Sequence, residues 1–143
     1  LHEPKGVAAA SSGAVYVANG SGSGAWTAKE TLVGETLTGY IDNISASSTV
    51  YVPIPFAGTI SKVVTVLEAA ISSADATLTV KNSAAASMGT ITVANSGSAA
   101  GDVDTLSPSS NNTVTANSFI TIASDGASTN SATLRFVVVS DRT

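Results

Sequence analysis

From about residue 35 onward, apolar and polar side chains alternate in short stretches separated by turn residues. Thr77-Leu78-Thr79-Val80-Lys81 sets Leu78 and Val80 on one side and Thr77, Thr79 and Lys81 on the other, the period of two that a half-buried strand requires. Gly89-Thr90-Ile91-Thr92-Val93 repeats it with Ile91 and Val93 inward. Phe119-Ile120-Thr121-Ile122 does the same, and so does Thr133-Leu134-Arg135-Phe136-Val137-Val138, with Leu134, Phe136 and Val138 toward a core. Further strands are predicted around 37–42, 49–54, 58–67 and 113–116, for about eight in all, a number that suits a jelly roll or similar two-sheet sandwich. Pro53 and Pro55 break the run from 50 to 56, which places it at a sheet edge, where a missing N–H is tolerated. Residues 96–112 are long for a hairpin connection and form the candidate contact loop.

Before residue 35 the pattern fails. One short apolar run, Ala14-Val15-Tyr16-Val17-Ala18, is closed by Asn19-Gly20-Ser21-Gly22-Ser23-Gly24 within a segment rich in Gly, Ser and Ala. Such a segment buries too little apolar surface to fold alone, so it is ordered mainly by what it touches. The organisation predicted is therefore an extended N-terminal arm, 1–34, serving attachment or subunit contact, and an all-β, jelly-roll-like antiparallel β-sandwich, 35–143. The opening residue is not Met, which implies a trimmed start or residues preceding it.

Composition supports strands over helices. Charged residues are 11% and aromatics 5%, whereas small and β-branched side chains dominate. At 43% apolar the chain is not of the disordered class. A net charge of -4 with six Lys plus Arg excludes a broad basic face, and with it phosphate neutralisation, so nucleic acid is not an expected partner. No apolar run reaches the 18 or so residues of a membrane helix, and no membrane partner is expected. Cysteine is absent, so no disulfide framework exists.

Chemical motifs are few. Gly20 to Ala25 fits G-x-G-x-x-A, with Asp42 about where a ribose-binding acid would stand, but Gly34 and Gly39 interrupt the required helix and no second βαβ unit follows. A Gly-Ser turn explains the segment better. His2 is the sole histidine and terminal, which leaves a Ser-His triad or a His-rich metal site without its parts. Asp102 and Asp104, with Asp125, could offer carboxylates to calcium; solvated loop acids are the simpler reading. Neither Glu30 with Glu35 nor Asp75 with Asp102 has a spacing that argues for a glycosidase pair. No enzyme activity, cofactor or metal is expected. Trp26, beside the Gly-rich turn, is an anchor either for a partner or for its own domain.

The opening His2-Glu3-Pro4-Lys5-Gly6-Val7, then Gly13-Ala14-Val15-Tyr16-Val17-Ala18-Asn19-Gly20 and Gly24-Ala25-Trp26, resembles the N-terminal segment of tailed-bacteriophage head-fibre and capsid decoration (cement) proteins. Val52-Pro53-Ile54-Pro55-Phe56-Ala57-Gly58-Thr59-Ile60, Ala74-Asp75-Ala76-Thr77-Leu78-Thr79-Val80 and Ser98-Ala99-Ala100-Gly101-Asp102-Val103-Asp104 are similar to the sandwich domain of small phage structural proteins. The resemblance implies a virion location on the outer capsid surface, a homotrimer, and the phage major capsid protein as partner. His2, Pro4, Lys5, Gly6, Val7 and Trp26 match the terminal pattern. Together with the apolar Val15 and Val17 they are the contact candidates toward capsid or sister subunits. The alternative is a fibre-tip or head-fibre module whose distal loops bind a host receptor or glycan.

Overall fold

The computed structural model describes residues 10, 13–27 and 34–142, and among these no helix forms. Among the described residues two short strands come first, β1 (Val15–Ala18) and β2 (Gly24–Thr27), paired there only with each other. Nine more follow: β3 (Gly34–Ile41), β4 (Ser48–Ile54), β5 (Gly58–Leu67), β6 (Ala76–Asn82), β7 (Ser87–Val93), β8 (Val103–Leu106), β9 (Thr113–Val114), β10 (Ser118–Ser124) and β11 (Leu134–Arg142). They form two antiparallel sheets, one ordered β4-β10-β6-β7 and the other β3-β11-β5-β8, with β9 also paired to β5. From β3 to β11, each step along the chain passes to the opposite sheet, except between β6 and β7 and between β8 and β9.

The alternating stretches lie within β6, β7, β10 and β11, and the side chains assigned inward are buried. Leu78, Val80, Ile91, Val93, Ile120, Ile122, Leu134, Phe136 and Val138 join Ile41, Ile54, Ile60, Val63 and Leu67 in one core between the sheets. Burial of this apolar surface, at about 25 cal/mol per Å², is the main force holding the sheets together. In β5 the inward residues change phase, since Ile60 and Val63 are both buried though three apart. A β-bulge accounts for it: Val139 faces Lys62 and Ser140 faces Ile60, so Ser61 is the extra residue. Its hydroxyl reaches the Val139 carbonyl at 3.4 Å.

β4 is an outermost strand, where a proline is tolerated, with exposed Pro53 opposite Phe119; Pro55 lies just beyond the strand's end. Residues 96–112 are not one long loop. β8 forms inside the segment and pairs Val66 to Val103 and Val63 to Leu106. β9 covers only two of the four residues predicted and continues the same edge along Gly58 and Thr59. Between them Asn112 carries the ladder: its carbonyl accepts from the Ile60 N–H at 2.8 Å, and its Nδ2 donates to the Ile60 carbonyl at 2.9 Å. The described part of residues 1–34 is a hairpin rather than an extended run, and strand β3 begins at the boundary, at Gly34.

Register sorts the loops into two ends. At one lie the start of β3 and the end of β11, Gly34 opposite Asp141, together with the β4–β5 corner at 55–57. At the other lie the loops 42–47, 68–75, 94–102 and 125–133. The far loops are tied together by side chains. The Ser45 hydroxyl donates to the Asn130 carbonyl, Ser72 and Thr129 share a hydroxyl bond of 2.9 Å, Asp75 accepts from Asn95 N–H at 2.8 Å, and Ser98 bonds Ile71 N–H and carbonyl at 3.0 Å.

Candidate functional site

The hairpin is built on its turn. Asn19 Oδ1 accepts from the N–H groups of Ser21 (2.9 Å) and Ser23 (3.2 Å), while Asn19 N–H donates to the Ser23 carbonyl at 2.8 Å. Gly20 and Gly22, both at φ +77, supply the left-handed backbone that such a tight reversal needs. The G-x-G segment is thus a hairpin turn leading into a strand, with no helix for a dinucleotide phosphate to cap.

Pairing of Tyr16 with Trp26 puts both rings on one face, edge to face at 5.4 Å. Val15, Val17 and Ala25 fall on the other, so the hairpin is apolar on both sides. Trp26 is half-buried; Val15, Tyr16 and Val17 remain 43%, 37% and 40% exposed, values that core valines of the sandwich never approach. Of the contact candidates, Val15, Val17 and Trp26 come together here, whereas His2, Pro4, Lys5, Gly6 and Val7 lie outside the described residues. Tyr16 belongs with the three, and its presence inside the apolar run was the available signal.

The acids singled out in the sequence serve the backbone. Asp102 accepts from Ala99 N–H at 2.7 Å, and Asp125 accepts from Thr77 N–H and Ala127 N–H, both at 3.1 Å. Desolvation pushes the Asp125 carboxyl up, but the hydrogen bonds from Ala127 and Thr77 outweigh it and hold the pKa below its ordinary value. Asp104 faces Thr65 from the edge strand, and burial, then the charge of Asp102, raises its pKa. Among the described residues no three His, Asp or Glu side chains come together as a metal-holding group. Glu30 lies outside the described residues.

Apolar groups are also exposed on the sandwich, among them the paired Val66 and Val103 and three groups that carry aromatic rings. Tyr51 and Phe119 stack edge to face at 5.4 Å on the outer face of the β4 sheet. Phe56, at the β4–β5 corner, carries the Arg142 guanidinium 3.4 Å above its ring. Tyr40, on β3, is 57% exposed and borders two hollows, one of about 380 Å³ against Thr38, Arg135 and Val137, the other of about 420 Å³ against Asp42, Asn43, Ser48 and Val50. Compared with known protein families and characterised proteins, the chain matches no family model and no characterised sequence.

Proposed function

We propose that the chain is a non-enzymatic structural protein that decorates and stabilises the outer surface of a tailed-phage capsid, attached through its N-terminal segment. The observation that carries this is the hairpin. A two-stranded hairpin alone is marginally stable in water. This one keeps Val15, Tyr16 and Val17 exposed, on strands with no partner among the described residues beyond each other. Apolar side chains that stay exposed on both faces of such an element, as Val15, Val17 and Tyr16 do, are what a partner surface would bury.

The sandwich suits a rigid body in such a role. Its sheet orders, β3-β11-β5-β8 against β4-β10-β6-β7, support assignment as a jelly roll, an architecture common in capsid and lectin domains. Eight strands wound into two sheets match it once β8 and β9 are taken as one interrupted edge strand. The homotrimer belongs to the same proposal: β3, β4, β7 and β8 are sheet edges, and burying an edge or face between sister subunits removes the risk of uncontrolled pairing.

Co-sedimentation with undecorated capsids tests the reading. The full chain pellets with particles and a chain beginning at Gly34 does not, while both melt alike. Equal binding by the shortened chain removes the hairpin from attachment, and failure of the full chain to bind overturns the decoration role.

A further inference from the structure

We infer that the hollow bordered by Tyr40 is a binding site for a neutral oligosaccharide. Tyr40 is the penultimate residue of the edge strand β3, at the far end of the sandwich. Six residues at roughly 3.3 Å each separate it from Gly34, where the N-terminal segment joins, by about 20 Å. A body held through that segment therefore has this end available to a second ligand.

The polar groups around the hollow have unused capacity. The Asp42 carboxylate makes no hydrogen bond or ion pair among the described residues; its backbone carbonyl alone is engaged, by the Thr133 hydroxyl at 3.0 Å. Asn43 commits Oδ1 to Ser45 N–H (2.9 Å) and Ala132 N–H (3.4 Å), which fixes the amide and leaves Nδ2 free to donate. Ser48 also lines the hollow, but its hydroxyl is buried from solvent and without a partner, so the carboxylate and the amide are the groups open to a ligand. Beside them stand the Tyr40 ring and the apolar Val50.

These features select the ligand chemistry. An exposed aromatic ring next to fixed donors and acceptors matches a sugar, whose C–H face packs on the ring while its hydroxyls bond the carboxylate and amide. Among the described residues no Lys or Arg lines the hollow and none pairs with Asp42, so phosphate, sulfate and acidic sugars are disfavoured. The net charge of -4 acts in the same direction. The neighbouring hollow shares Tyr40 and ends at Arg135, whose guanidinium is already paired with Glu68. Two hollows that share Tyr40 accommodate an extended chain better than a monosaccharide.

The test uses the full chain on an array of neutral and anionic oligosaccharides, followed by titration calorimetry with the strongest binder. A neutral oligosaccharide should bind, and Tyr40→Ala should weaken it about tenfold or more, the loss of roughly one aromatic contact. Asp42→Asn, which keeps shape and removes charge, should also weaken it. Tyr51→Ala, on the opposite sheet, should not. Melting temperatures of the variants are checked in parallel, and either Tyr40→Ala or Asp42→Asn suffices if the other fails to fold. The inference is overturned by the absence of neutral-sugar binding, by a preference for anionic sugars or for a Lys-rich peptide included as a competitor, or by loss of binding with Tyr51→Ala instead of Tyr40→Ala.

Discussion

Gly39→Ala separates two opposing effects within the sandwich. Glycine inside a strand costs stability through backbone entropy, so alanine at a compatible position gains about 0.4–1 kcal/mol. Gly39 has no left-handed backbone to forbid the change. It lies directly opposite Phe136 on the neighbouring strand, however, and the ring lies over it. A Cβ at residue 39 would stand 2.8 Å from Cε2 and closer still to Cζ. Phe136 is among the largest fully enclosed side chains, so the ring has little room to retreat. Overpacking of this kind costs about 1–3 kcal/mol, more than the entropic gain, and the net effect is destabilising. A chain of this size shifts by about 4 °C per kcal/mol, so thermal melting followed by circular dichroism resolves it. Phe136→Leu removes the ε and ζ atoms that create the clash. In that background Gly39→Ala should be neutral or stabilising, with a coupling of at least about 1 kcal/mol in the double-mutant cycle. Additive effects, or a more stable single Gly39→Ala variant, would refute the contact as the cause.

Three other outcomes are expected. A chain beginning at Gly34 retains every buried apolar residue from Ile41 to Val138 and should melt within a few degrees of the full chain; loss of cooperative melting would make the N-terminal segment part of the core. Trp26→Ala should weaken capsid co-sedimentation by at least about a hundredfold if the ring is buried there, given that truncating a buried Trp costs about 3–5 kcal/mol; unchanged binding excludes it as the anchor. The two shifted acids should respond to pH with opposite signs. Asp104, raised in the folded state, opposes folding once ionised, so Asp104→Asn should raise the melting temperature at pH 7 and lose that advantage below its unfolded value of 3.8. Asp125, lowered, supports folding above 3.8, and that support is lost as pH falls through its folded value, so Asp125→Ala should destabilise at pH 7 and less so in acid. Melting curves from pH 2 to 7 check both, and shifts of the same sign would contradict the assignments.

The strands with a clean period of two were legible from the sequence, because facing a core on one side and water on the other is a constraint written residue by residue. Leu78 with Val80, Ile91 with Val93, and Leu134, Phe136 and Val138 all follow it, and Pro53 marks an edge because proline removes a ladder donor wherever it stands. β8 escaped notice because an edge strand is half solvated on both faces: Val103 points out, while Asp104 sits opposite buried Thr65. The apolar run of β1 and the turn after it were legible, but the returning strand β2 escaped because four residues, Gly24 to Thr27, have no alternation to detect. Only the tertiary structure decided which strands are neighbours. β3 and β11 stand about a hundred residues apart in sequence, and nothing local at Gly39 announces the Phe136 ring above it. The hollow at Tyr40 arises for the same reason, since Tyr40, Asp42 and Ser48 become one site where the chain leaves one sheet and enters the other, a turn whose course is set by the packing of the two sheets rather than by the residues that line it.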